Sequence, residues 1–159
     1  MLVYAGMLVG AKAGHCFWDG KPSQLNSVIS AGPARGIKSS PGMVNGYMQI
    51  YEDMQYYTER PRQELLVMSQ IPWCYLIAED YPYGSFSAWL SGLDESTVQR
   101  LQLYYSLNPD KLPRYIYIVK DSAFGPLYLQ RENILSDAGQ YGYTVTENSV
   151  SYKLEKSFD

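Results

Sequence analysis

Side chains that commonly carry chemistry are scarce in this chain. It has one histidine, His15, in 159 residues. A metal site built on several imidazoles is therefore excluded, and a histidine-dependent triad would have to use His15 itself. The two cysteines, Cys16 and Cys74, are spaced for neither a zinc ribbon nor a CxxC redox pair. They read as one disulfide in an oxidising compartment or as two buried thiols. Charged residues make up 18% of the chain, the net charge is −3, and no Lys/Arg run occurs. A nucleic-acid partner needs a basic patch, so none is expected. No apolar run approaches the roughly 20 residues of a membrane span. The residues point to no metal and no cofactor.

Tyrosine, in contrast, is abundant: sixteen residues, in a chain that is 46% hydrophobic. Its ring supplies apolar area and its hydroxyl a polar tip, which suits interfaces and wet surfaces. The length suits a single domain, residues 1–159, with one sizeable core. Residues 1–12 read as a first strand or as the tail of an upstream segment. They carry an apolar run but no basic stretch ahead of it, unlike a signal peptide.

The sequence is organised around Ser30 to Tyr57. Gly32-Pro33 and Gly36 mark a loop, because Gly permits positive φ and Pro holds φ at a fixed negative value. Ser40 is a good helix N-cap, with Pro41 at the first helical position. Val44, Tyr47, Met48, Tyr51 and Met54 then recur at helical spacing, which predicts a helix over Pro41 to Tyr57. Earlier, Ala13 to Trp18 reads as a strand, Asp19 to Pro22 as a turn, and Gln24 to Ser30 as a short extended element. Leu65 to Met68 is apolar on both faces, as in a buried parallel strand. Pro72 to Ala78 reads as a short helix, and Glu95 to Leu107 as a helix capped by Asp94 with Val98, Leu101, Tyr104 and Tyr105 facing inward. Tyr115 to Val119 is the clearest strand. A loop at Ser122 to Gly125 and a helix at Leu127 to Ala138 follow. Tyr143 to Val145 and Val150 to Leu154 alternate with period two and form a hairpin about Glu147-Asn148. This order predicts an α/β fold: three layers, a mostly parallel sheet with crossover helices, and a C-terminal antiparallel hairpin.

Candidate chemistry sits in few places. A loop feeding a helix N-terminus can hold an anion on free N–H groups. Gly32, Arg35, Gly36, Lys38 and Ser40 are the candidates there, against the alternative of a tight structural turn. The match to a phosphate loop is poor. Glu52 and Asp53 read as solvated residues on the polar side of the helix. Asp80 and Tyr83 lie in the Tyr-rich loop that also holds Tyr81 and Phe86. With Trp73, Tyr75 and Trp89, these rings could stack on a sugar or lipid headgroup, or roof the core. Ser85 and Ser87 read as turn or capping residues. Ser122 is the last candidate, expected near the carboxyl ends of the strands. His15 and Cys16 point to opposite sides of a strand and would not meet as a nucleophile–base pair.

GPARGIKSS followed by a Tyr-rich helix resembles a pattern of the form Gly-Pro-x-x-Gly-Ile/Leu-x-Thr-Thr, and YGSFSAWLSG resembles a later segment of the same proteins. These are C-terminal extracytoplasmic domains of bacterial polytopic membrane proteins similar to C-class glycosyltransferases. The resemblance covers roughly Phe17 to Leu154 and departs at Lys38-Ser39-Ser40, where the family tends to show Thr. It implies a non-catalytic soluble domain at the extracytoplasmic face of a bacterial membrane. Its partner would be the membrane-embedded portion of the same parent chain, with a carbohydrate or lipid-linked sugar as ligand. No catalytic residue carries over, because the family's catalytic acids lie in membrane loops. The alternative from the residues alone is a stand-alone protein or enzyme that binds a small, sugar-phosphate-like ligand at Gly32–Gly36, with Arg35, Asp80 and Ser122 converging.

Overall fold

The computed structural model describes residues 20–68, 71–87, 95–120, 138–139 and 141–157. The strands expected before residue 20, the Asp94 cap, the loop at Ser122 and nearly all of the helix expected at 127–138 lie outside them. The chain forms two compact units, Met1–Gln49 and Ile50–Asp159.

In the first unit, the turn expected at Asp19 to Pro22 leads into a 3-10 turn, Pro22–Gln24, with Gly20 at φ 101°. A two-residue strand β1 (Ser27–Val28) pairs antiparallel with β2 (Lys38–Ser39). Helix α1 (Pro41–Thr58) starts immediately afterwards and runs on into the second unit. Its start matches the Ser-Pro signal, and the Val44 N–H donates to the Ser40 carbonyl at 3.0 Å.

At the other end of α1, the Arg62 guanidinium donates to the carbonyls of Tyr57, Thr58 and Arg60. A cation at the C-terminus satisfies carbonyls that have no partner within the helix and complements its dipole. The Tyr81 hydroxyl bonds the same carbonyls of Tyr57 (2.7 Å) and Arg60 (3.1 Å).

The second unit is built on a four-stranded sheet. β3 (Leu65–Val67) pairs in parallel with β4 (Tyr115–Val119), and helix α2 (Glu95–Leu107) lies between them in sequence. β5 (Tyr143–Glu147) and β6 (Ser151–Lys156) form the expected hairpin, and the strand order is β3-β4-β6-β5. The fold is therefore mixed α/β. Among the described strands the sheet is mixed rather than mostly parallel: one ladder is parallel and two are antiparallel. The hairpin's second strand, β6, turns back and takes the place beside β4. The turn is also longer than Glu147-Asn148. The Asn148 Oδ1 accepts from the N–H groups of Val150 (2.8 Å) and Ser151 (2.7 Å), closing the turn through a side chain.

Alternation along the strands sorts the core into two clusters. Leu65, Val67, Tyr115, Tyr117 and Val119 pack with Ile50, Met54 and Tyr57 of α1. Leu66, Met68, Ile116, Ile118 and Leu154 pack with Leu101 of α2. Successive strand residues point to opposite faces, so the sheet is buried on both. The outer edge of β3 is also closed. Leu65 exchanges backbone bonds with Pro82 and Gly84, and the Tyr75 hydroxyl accepts from the Val67 N–H (3.0 Å) and donates to the Leu65 carbonyl (3.1 Å). That hydroxyl comes from Pro72–Leu76, which is a 3-10 turn rather than an α-helix. Among the described residues, no helix is long and apolar enough to cross a membrane.

A candidate apolar ligand site

The Gly32–Gly36 loop joins β1 to β2. Gly32 and Gly36 both take positive φ, 76° and 90°, as the turn requires. The amides of the loop bond inward. Arg35 donates to Gly32 (3.1 Å), Gly36 to Ile29 (2.9 Å), Ile37 to Ala34 (3.1 Å), and Ala34 to the Tyr47 hydroxyl (3.1 Å). An anion cradle needs such N–H groups pointing outward, and these four are engaged. Arg35 and Lys38 have exposed side chains, and Ser40 sits just ahead of α1.

Asp80 and Tyr83 belong to the second unit. Asp80 is exposed and takes a left-handed conformation, φ 65°, as a turn residue. Tyr83 is half exposed and stands edge-on to Tyr75, ring centroids 4.7 Å apart. Ser122, His15, Cys16 and Trp89 lie outside the described residues. Of the aromatic group, Tyr75 and Tyr81 are buried and bond backbone carbonyls, so they brace the core. Tyr83 and Phe86 remain exposed. Ser85 is a turn residue, its hydroxyl bonded to the Ser87 carbonyl at 2.5 Å. Cys74 is a free, fully buried thiol, and burial, with the Asp53 carboxylate adding to it, pushes its pKa well up.

Asp53 is not the solvated residue expected. Its side chain is 6% exposed. It pairs with the Lys153 ammonium and accepts from the Asn148 amide (2.5 Å), the Tyr117 hydroxyl (2.9 Å) and the Ser151 hydroxyl. The reason lies in the helix face. The buried positions of α1 are Val44, Tyr47, Ile50, Met54 and Tyr57, while Met48 and Tyr51 are only half-buried. Asp53 is three residues after Ile50 and four before Tyr57, on the same face. Beneath it, β6 presents Ser151, Lys153 and Glu155 on one side of the sheet. Tyr56 bonds Glu155 there at 3.0 Å. α1 thus lays apolar side chains over β3 and β4 and polar ones over β6. Every oxygen of Asp53 has partners, and Ser151 and Tyr117 are fully buried. The arrangement joins elements together and leaves no reactive group open to a substrate.

The opposite face of the sheet carries an apolar cavity of about 520 Å³. Leu66, Met68, Ile116, Tyr143 and Leu154 form its floor. Leu66, Ile116 and Leu154 are direct cross-strand neighbours on β3, β4 and β6. α2 forms one wall with Leu101, Gln102, Tyr105 and Ser106. Pro109, Leu112 and Pro113 form another, and Ala138 and Tyr141 complete it. No charged side chain lines it among the described residues. The Tyr105 hydroxyl donates to the Gly84 carbonyl and the Tyr143 hydroxyl to the Pro113 carbonyl. Burial pushes both phenols well above their ordinary pKa, so both stay protonated. The size matches pockets for drug-sized ligands, about 300–1,000 Å³.

Sequence reasoning placed Leu101 and Tyr105 on the inner face of α2 but gave no sign of a cavity. A cavity is a mismatch of shapes between elements, and no residue pattern encodes it. No protein-family model matches the chain, and neither a curated protein nor a solved structure matches it.

Proposed function

We propose that the chain is a non-catalytic binding module and that its second unit holds an apolar ligand between α2 and the sheet. The observation that carries this reading is the cavity of about 520 Å³ lined by Leu66, Leu101, Ile116 and Leu154, with no charged side chain among its described lining residues. The resemblance of GPARGIKSS and YGSFSAWLSG to the glycosyltransferase-like proteins supplies the setting. In it, the module is the extracytoplasmic domain of a bacterial membrane protein and packs on, or presents its ligand to, the membrane-embedded portion of the same parent chain. A carbohydrate or lipid-linked sugar would be the cargo, and the membrane part would hold any transferase chemistry. The three-layer arrangement with a crossover through α2 belongs to the same reading. It is supported by the core clusters on the two sheet faces and by the parallel β3–β4 pair.

Titration with N-phenyl-1-naphthylamine, a compact uncharged probe that fluoresces in apolar surroundings, tests the binding claim. Saturable fluorescence with a rising thermal midpoint is expected, because a ligand that binds only the folded state stabilises it. Flat fluorescence from a folded protein overturns the claim. The membrane setting has a separate test in the parent gene, where several spans of about 20 apolar residues are expected. A parent lacking them removes the setting and leaves the binding module.

A further inference from the structure

Resting on that reading, we infer that the cavity takes the apolar tail of a single-chain amphiphile, with the polar head outside. Three observations lead there. First, the described residues of the interior offer little with which to read a polar group. Its two buried phenols, Tyr105 and Tyr143, donate their protons to protein carbonyls, and no charged side chain lines it among the described residues. A buried polar ligand group would find few partners there, which is unfavourable.

Second, the polar lining is at the mouth. Gln102, Ser106 and Tyr141 are exposed while Leu101 and Tyr105 point inward. Third, apolar surface continues past that rim. On α2, Leu101 and Tyr105 are four apart, as are Gln102 and Ser106, and then Leu103 and Leu107. Successive pairs step around the helix from inner wall to mouth to outside. Leu103 and Leu107 are 59% and 71% exposed, unusual for leucine. A compact ligand would end inside the cavity. A chain would pass the mouth and lie against Leu103 and Leu107. Met68 on the floor suits this, because its unbranched side chain repacks around flexible ligands.

The chemistry required is a flexible hydrocarbon chain, whether fatty acyl or isoprenoid. The test uses the full chain with cis-parinarate as fluorescent probe, displaced by the saturated acids from decanoate to palmitate, the matching alcohols and farnesol. Affinity should rise about fourfold per added methylene until the cavity is filled, and then level off to a much shallower rise as the overhang meets the exposed Leu103 and Leu107. Acids and alcohols of equal length should compete within a factor of about three, since the head stays outside. Stronger competition by the saturated series assigns an acyl chain, and stronger competition by farnesol an isoprenoid. Gln102→Trp places a ring at the mouth from an exposed position that the fold does not need. It should weaken chain binding at least about tenfold while the thermal midpoint of the free protein is unchanged. Leu101→Ala, which enlarges the cavity, should shift the levelling-off to longer chains. If the compact naphthylamine binds but the chain series shows no length dependence, or Gln102→Trp binds chains as well as wild type, the chain inference fails and the apolar module stands. If neither probe binds the folded protein, both fail.

Discussion

Asp53 gathers four polar partners from β4, the β5–β6 turn and β6. It ties α1 to β4 through Tyr117 and to β6 through Ser151 and Lys153. Removing one partner of a buried pair leaves the other charge uncompensated, which typically destabilises by about 3–5 kcal/mol. Asp53→Ala should therefore lower stability by about 3 kcal/mol in urea unfolding. Combined with Lys153→Met, it should destabilise by clearly less than the sum of the two single changes. Additive effects would mean that the pair is not coupled. The tyrosines give a second prediction. Burial raises the pKa of Tyr57, Tyr105, Tyr117 and Tyr143, and moves that of Tyr75 up to about 12. The unfolded chain loses these protons near pH 10. Above that point the unfolded state binds fewer protons than the folded one, so stability falls as pH rises. Their stabilisation is complete below about pH 10 and should be lost on going past pH 12. Phenolate absorbance should show the buried tyrosines ionising only as the protein unfolds. A smooth titration of all sixteen tyrosines near pH 10 in the folded state would contradict this.

At the scale of elements, tight approach matters more than propensity. Gly84 bonds the Leu65 carbonyl through its amide at 2.8 Å and lies against the edge of β3. A Cβ there would meet the Pro113 Cβ at 2.7 Å and the backbone of Leu65 and Leu66 at 3.0 Å. None of these is the free end of a flexible side chain, so Gly84→Ala should destabilise by about 1–3 kcal/mol. Gly42→Ala, with nothing near its Cβ and a helical position in α1, should not destabilise. Thermal midpoints of the two variants make the comparison. These elements were largely legible in the sequence. Pro41 after Ser40 marked the start of α1, the YIYIV run marked β4, and Glu95 and Leu107 bounded α2. Each is a local signal, set by capping, β-branching or a following proline. What was not legible was assembly. The insertion of β6 beside β4 depends on long-range pairing. The helical spacing that groups Tyr51 with Val44 and Met54 puts Asp53 on the polar side. The face turns by one residue toward Ile50 and Tyr57, which places the carboxylate over β6.

For the whole molecule, the two faces of the sheet divide the work. The face under α1 is filled by aromatic packing around Tyr57, which meets Tyr56, Tyr81, Tyr115 and Tyr117 edge-on. The face under α2 keeps a cavity. The abundance of tyrosine is thus partly a matter of core construction, and the loop at Gly32–Gly36, though the sharpest feature of the sequence, is closed by its own hydrogen bonds. A half-open apolar pocket leaves apolar lining in contact with water, which is unfavourable until an apolar group covers it. That is the physical ground for assigning a ligand to it. The most direct measurement is a methyl-resolved NMR spectrum with and without N-phenyl-1-naphthylamine, whose rings shift nearby methyl signals. The account predicts shifts at Leu66, Leu101, Ile116 and Leu154, with Leu65, Val67, Val119 and Val150 across the sheet unmoved. Shifts confined to those opposite-face residues, or none at saturating probe, would contradict it.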